Sequence, residues 1–162
     1  MINFDKLEMV LFDFDNTLCI HTEQGDTDYV QFCSNVLLNR EKAWLDCSPS
    51  PHMKKFMDIC QKRYISMGLI SAASEYFTML YKAKYVLEHY GVALENFCVG
   101  KIELKVPMMK VISEAYNIEP GNMLIVDDYV PILDSAIDAG FQACSPMEVV
   151  NFVESLANKE IA

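Results

Sequence analysis

The sequence predicts an α/β fold: a doubly wound, Rossmann-like parallel sheet with helices on both faces and a small helical insert after the first strand. Three observations lead there. Short apolar runs bounded by turn residues recur at 9–14, 64–70, 97–100, 123–126 and 142–144, and segments with helical spacing separate them. Two of these runs end in paired acids, Asp13 with Asp15 and Asp127 with Asp128. Strands that alternate with helices need crossover connections, which favour parallel pairing with both faces covered. A ligand site in such a sheet lies beyond the carboxyl ends of its strands.

The first strand carries the chemistry. Its apolar run starts at Met9 and is cut by Asp13 and Asp15 on alternate positions, so both carboxylates project from one edge where the strand ends. Two like charges that close repel at low dielectric, and a cation or a proton is needed between them. Asn16, Thr17 and Leu18 suit a tight turn whose amides are expected to be free for an anion such as phosphate.

Residues 19–48 then form a more polar excursion, read as a small insert over the strand end. Within it Asp28 is placed to cap a helix with Tyr29, Val30, Phe32, Cys33, Val36 and Leu37 on one stripe, ending near Asn39 and Arg40 and closed by Trp44 and Leu45. Ser48-Pro49-Ser50-Pro51 breaks the chain. A helix from Pro51 to about Arg63 follows, with Met53, Phe56, Met57 and Cys60 on one face. The apolar run Tyr64–Ile70 fits a parallel strand and leads to Ser71.

From Glu75 to His89, residues Phe77, Leu80, Tyr81, Lys84, Tyr85, Leu87 and Glu88 fall at helical spacing, and Gly91 ends the helix. The aromatic series Tyr76, Phe77, Tyr81, Tyr85 and Tyr90 reads as packing. A short strand at 97–100 precedes a helix from about Pro107 to Tyr116. After the turn at 119–122, the strand Met123–Val126 runs into Asp127 and Asp128. Pro131 opens a helix that Gly140 follows, and a last strand spans 142–144. Ser145-Pro146-Met147-Glu148 has the form of a capping box, starting a helix that reaches about Ala157.

Composition narrows the class. With 162 residues and 52% hydrophobic content, one domain over 1–162 with a sizeable core is expected. A net charge of -10 disfavours diffuse binding to nucleic acid or anionic membranes, so an anionic substrate needs local help from a metal and placed lysines. Six cysteines at 19, 33, 47, 60, 98 and 144 show no C-x-x-C spacing, and the chain opens without a basic-then-apolar segment. Free thiols in a reducing cytoplasm are expected. No apolar stretch approaches the roughly 18–20 residues of a membrane span.

Setting the strand ends side by side brings Asp13, Asp15, Ser71, Asp127 and Asp128 to one crevice, with Lys105 in reach. Four carboxylates, a lysine and a hydroxyl suit Mg²⁺, a hard ion that keeps waters for a phosphate to replace. The chemistry this supports is phosphoryl transfer through an acyl-phosphate on a carboxylate, with the transferring charge met by Mg²⁺, Lys105, Ser71 and the turn at Asn16.

These residues resemble the haloacid dehalogenase superfamily in its phosphatase branch. Asp13-Phe14-Asp15-Asn16-Thr17 is similar to its first motif, D-x-D-x-T; Ser71 resembles the second, Lys105 the third, and Asp127-Asp128 the fourth. The order is kept from residue 9 to about 144. The resemblance implies a hydrolase of phosphate monoesters in which Asp13 is the nucleophile and a metal ligand. Asp15 is then the general acid and base, with its backbone carbonyl on the metal. Ser71 and Lys105 hold the phosphoryl group, and Asp128 completes the Mg²⁺ shell with Asp127 beside it. Lys110, a turn or so after Lys105, competes for that role but lies further into the helix. The insert at about 19–48 implies a minimal cap and an open site for a phosphorylated small-molecule or macromolecular substrate; the oligomeric state stays open.

Three other readings compete. A receiver-like signalling module also uses an acidic pair, a phosphorylated Asp, a hydroxyl and a Lys, but in another chain order. An inactive family member would serve as a binding module. A phosphotransferase or phosphomutase would use the same residues with an acceptor other than water.

Overall fold

The structure is a computed structural model and describes residues 2–21, 47–73 and 76–160. Strand β1 (Met9–Phe12) is followed by β2 (Cys19–His21), β3 (Cys47–Pro49), α1 (Pro51–Lys62), β4 (Ser66–Ala72) and α2 (Tyr76–Tyr90). Then come β5 (Glu95–Val99), α3 (Lys105–Tyr116), β6 (Met123–Val126), α4 (Val130–Asp138), β7 (Gln142–Cys144) and α5 (Pro146–Glu160). Five strands form one sheet in the order β5-β4-β1-β6-β7, and each neighbouring pair is parallel. The predicted α/β architecture is the observed one.

Alternation along the strands explains why both faces are covered. Val10 and Phe12 of β1 join Leu69, Leu124 and Val126 in one apolar cluster, which the buried faces of α1, α2 and α5 complete with Met53, Phe56, Val86 and Val149. Met9 and Leu11 point the other way, into a second cluster with Ile70, Met123 and Ile125 under Val106, Met109 and Ile112 of α3 and Ile132 of α4. A two-residue period in β1 thus feeds two cores. Gly68 in β4 is required by close approach: a Cβ there would lie 2.7 Å from the Phe97 ring and 2.9 Å from Leu11. No described helix is long and apolar enough to cross a membrane.

Several boundaries differ from expectation for local reasons. β1 stops at Phe12, not 14, because the chain turns away once the Asp13 amide has bonded Val126 O at 2.9 Å. β4 runs over Ser66–Ala72 instead of 64–70: Tyr64 is exposed at φ 58 and belongs to the turn that leaves α1. β5 begins earlier, at Glu95, and α3 begins at Lys105, two residues before Pro107, which the first helical turn tolerates. In α2 the aromatic series packs at Tyr85 and Tyr90, and the buried face is set by the sheet. Leu80, Lys84, Leu87 and Glu88 face solvent, whereas Met79, Lys82, Tyr85, Val86 and Tyr90 are buried.

The excursion after β1 leaves through β2 and returns through β3, which pair antiparallel with Ile20 opposite Ser48. The helix expected between Asp28 and Arg40, with Trp44 and Leu45, lies outside the described residues. Ser50 caps α1 through its side chain, accepting from the Met53 amide at 3.3 Å. The Tyr90 hydroxyl donates to Leu18 O at 2.5 Å and accepts from the Ser50 amide at 2.8 Å, so the end of α2 ties the turn after β1 to the start of α1. Cys19, Cys47, Cys60 and Cys144 are free thiols.

Candidate active site

Register decides which side chains meet. Phe12 stands opposite Val126 and Leu69, so the residues following β1 and β6, Asp13 and Asp127, emerge side by side. Ser71 lies two positions beyond Leu69 on the other flank. β1 is the point where the strand order turns, with β4 on one side and β6 on the other, and the crevice at their carboxyl ends is the expected place for a ligand.

On the β6 side, Lys105 reaches in from the first turn of α3. Its ammonium donates to Asp13 Oδ1 at 2.8 Å and Asp127 Oδ2 at 2.7 Å, with all three side chains almost wholly buried. The other oxygen of Asp127 accepts from the Tyr129 amide at 2.9 Å. Asp128 is more exposed and is hydrogen-bonded by the Asn16 side chain. One carboxylate oxygen each from Asp13, Asp127 and Asp128 lies within 4.8 Å of the others.

Burial raises the pKa of Asp13, Asp127 and Asp128 above the usual carboxylate value. Lys105 opposes this at all three, while Asp127 adds to the rise at Asp13 and Asp13 to that at Asp128. For Lys105, burial acts to lower the pKa, but the attraction of Asp13 and Asp127 outweighs it and the net direction is upward. Two buried carboxylates thus share the Lys105 ammonium with a third, more exposed one beside them, an arrangement that favours taking up a further positive charge. The donor set fits a hard divalent cation, which takes oxygen ligands from carboxylates.

On the β4 side the partners are different. Asp15 is not part of the carboxylate group; its Oδ2 accepts from Lys82 Nζ at 2.7 Å. The same ammonium donates to Ser71 Oγ at 2.8 Å and sits 5.1 Å from the Phe14 ring centroid. Lys82 was not among the residues singled out from the sequence. The signal was present, because Met79, Lys82, Tyr85, Val86 and Tyr90 follow helical spacing and put a lysine on an otherwise apolar stripe.

The turn after Asp15 differs from expectation in one respect. Asn16 adopts the left-handed conformation at φ 54, which Asn tolerates better than most residues. Its amide donates to Cys19 O at 2.9 Å, and those of Thr17 and Leu18 donate to Phe14 O. These three amides are committed within the turn and are not free for an anion. Lys110 is exposed and has no part in the cluster, while Lys105 does.

Comparison with protein-family models finds no match, and neither does comparison with curated proteins. Solved structures do match in fold. A putative haloacid dehalogenase-like hydrolase from Bacteroides fragilis aligns with TM-score 0.57 at 14% identity, over 85% of this chain and 86% of its own. The N-terminal part of another B. fragilis protein, containing a phosphatase domain and complexed with Mg, aligns with TM-score 0.61 at 14% identity over 93% of this chain. A hypothetical protein from Xanthomonas campestris aligns with TM-score 0.54 at 14% identity over 86% of this chain. This chain spans 40% of the second of these structures and 64% of the third. At this identity the likeness is one of fold.

Proposed function

We propose that the chain is a Mg²⁺-dependent phosphatase of the haloacid dehalogenase type, acting on a phosphate monoester through an aspartyl-phosphate. The observation that carries this reading is the division of the first motif. The Asp13 carboxylate joins the Asp127 and Asp128 group, while that of Asp15, two residues on, turns to the opposite side of the crevice. One acid is set for attack beside a cation site and the other for proton transfer away from it. The fold likeness, including one neighbour that is complexed with Mg, supports the same reading.

Asp13, Asp128 and Asp127 would hold Mg²⁺, with Asp128 the freer ligand because Lys105 and the Tyr129 amide engage both oxygens of Asp127. Bound there, the ion would screen the carboxylates from an incoming phosphate dianion and stabilise charge on the transferring oxygens. The chain's own groups supply the rest. Asp13 attacks phosphorus as the bond to the leaving oxygen breaks, and Asp15 protonates that oxygen. Asp15 then takes a proton from the water that hydrolyses the aspartyl-phosphate. Ser71 donates to a phosphoryl oxygen, and Lys105 offsets negative charge at Asp13.

The test is a panel of sugar phosphates, nucleotides, phosphopeptides and an aryl phosphate, assayed with Mg²⁺ and again in excess chelator. Hydrolysis of at least one ester and its loss on chelation are expected, with Mg²⁺ binding at up to millimolar concentration by calorimetry. Undiminished hydrolysis in chelator would refute the metal requirement; no hydrolysis across the panel would refute the phosphatase.

A further inference from the structure

Among the described residues, Lys82 is the one buried ammonium that this mechanism leaves without a role. It sits on the apolar face of α2 with its side chain 3% exposed, where an aliphatic residue would pack without any desolvation cost. Its donors converge on the crevice: Asp15 Oδ2 at 2.7 Å, Ser71 Oγ at 2.8 Å and, more loosely, Ala72 O at 3.4 Å. An ammonium has three N–H donors and no acceptor. The Ser71 hydroxyl therefore has to accept from Lys82, which leaves its own O–H to donate elsewhere. The same ammonium holds Asp15 through its Oδ2.

Charge points the same way. Asp13, Asp15, Asp127 and Asp128 are two more carboxylates than the ammonium groups of Lys105 and Lys82, an excess that one divalent cation would cancel. Counted with Asp15 ionised, as it is when it takes the proton from water in the second step, a site without Lys82 would stay anionic with the cation bound.

Resting on the phosphatase reading above, we propose that Lys82 is a positioning residue: its ammonium turns the Ser71 hydroxyl proton toward the phosphoryl group and fixes the carboxylate of Asp15 for the leaving oxygen. It acts through those two side chains, without contact to the metal-binding carboxylates. Losing it removes the donor that orients the Ser71 hydroxyl and the bond that holds Asp15 Oδ2, so the cost appears in turnover and in the binding of phosphate. Affinity for Mg²⁺ is kept or increased, because a neighbouring positive charge has gone.

The test is a double-mutant cycle with p-nitrophenyl phosphate and Mg²⁺, using the wild type, Lys82→Met, Ser71→Ala and the double variant. Lys82→Met is expected to lower kcat/KM by about 10²–10³-fold, the scale of one lost transition-state donor. In the Ser71→Ala background the same change should cost several-fold less, because part of what Lys82 does has already been removed. Equal factors in the two backgrounds would overturn the proposal, as would a Lys82→Met protein that loses Mg²⁺ affinity by calorimetry. A wild type that hydrolyses no ester would instead bring down the phosphatase reading beneath it.

A measurement on the unmutated protein avoids any failure of a variant to fold. The Lys82 ammonium resonance in ¹⁵N-lysine-labelled protein should shift when inorganic phosphate is added with Mg²⁺. Phosphate that binds and leaves that resonance unmoved would also overturn the proposal.

Discussion

Lys105 and Lys82 are equally hidden from solvent, yet they solve different problems. Lys105 faces Asp13 and Asp127, whose side chains are 8% and 0% exposed; Lys82 faces Asp15, which is 33% exposed, and a serine. On the first side neither carboxylate can turn to water, so the ammonium is required simply to keep two like charges together. On the second side Asp15 can be hydrated, and the lysine governs orientation more than survival. The difference separates a residue that holds a site together from one that aims it.

The sharpest way to break the comparison is to remove one carboxylate on each side. Asp13→Asn takes away the attacking group and is expected to abolish turnover together with any acid-stable, hydroxylamine-sensitive phosphoryl group on the protein. Asp15→Asn leaves the attack in place and removes proton transfer, typically worth about 10²–10⁴-fold, so slow reaction with an activated aryl phosphate should persist. Acid-quenched protein read by mass spectrometry checks both. A phosphoryl group trapped on Asp13→Asn, or mapped to Asp127 or Asp128 in the wild type, would reverse the assignment.

Stability gives the next contrast. Lys105→Met leaves two buried carboxylates without a counter-charge, and breaking a buried ion pair in this way costs about 3–5 kcal/mol. Added Mg²⁺ should recover part of that loss by replacing the missing charge. Lys82→Met puts an apolar side chain of similar length on an apolar stripe beside an acid that water can reach, so about 0–1.5 kcal/mol is expected. Chemical denaturation with and without Mg²⁺ measures both. Equal losses would mean that the two ammonium groups do the same work.

Buried thiols outside the crevice show burial as the dominant influence. Desolvation pushes the thiols of Cys60 and Cys144 up to about 12, against a partial counter-effect of Arg63 at Cys60 and with help from Glu148 at Cys144. Both should stay neutral and unreactive toward a disulfide reagent at pH 8, and label only on unfolding. With folded values above the ordinary 9.0, their contribution to stability is complete below about pH 9 and is lost as pH rises toward 12. Denaturation midpoints that stay level across that window would contradict it.

The same contrast explains what could be read from the sequence. β6 and β7 end where apolar runs meet polar residues, α1 buries Met53, Phe56, Met57 and Cys60 as its spacing requires, and the acids at the strand ends mark the crevice, because each of these signals is local. Lys105 was legible from its place before the last acidic strand. Lys82 shows in the sequence only as a lysine on an apolar helical stripe, which does not name its partners, Asp15, 67 residues away, and Ser71. Likewise Leu80 and Leu87 of α2 are exposed while Met79 and Val86 are buried, because the sheet decides which side of the helix it covers. The committed amides of Asn16, Thr17 and Leu18 depended on the turn's own closure, which composition does not reveal.

The smallest effect is expected one strand away from both lysines. Ser145 follows β7, beside β6, and so emerges at the same edge of the sheet as Asp127, whose amide bonds Cys144 O at 3.2 Å. Proximity alone would make it a candidate for the site, but its bonds all lead elsewhere. Its Oγ accepts from the Glu148 amide at 3.3 Å, and its own amide donates to Glu148 Oε2 at 2.8 Å, a reciprocal pair that closes the first turn of α5. Ser145→Ala removes half of that pair and should cost about 1 kcal/mol, with turnover unchanged. Kinetics and a denaturation curve on the same preparation decide the matter. Reduced turnover at native stability would show that the crevice extends across β6 to β7, and that the two lysines do not bound it.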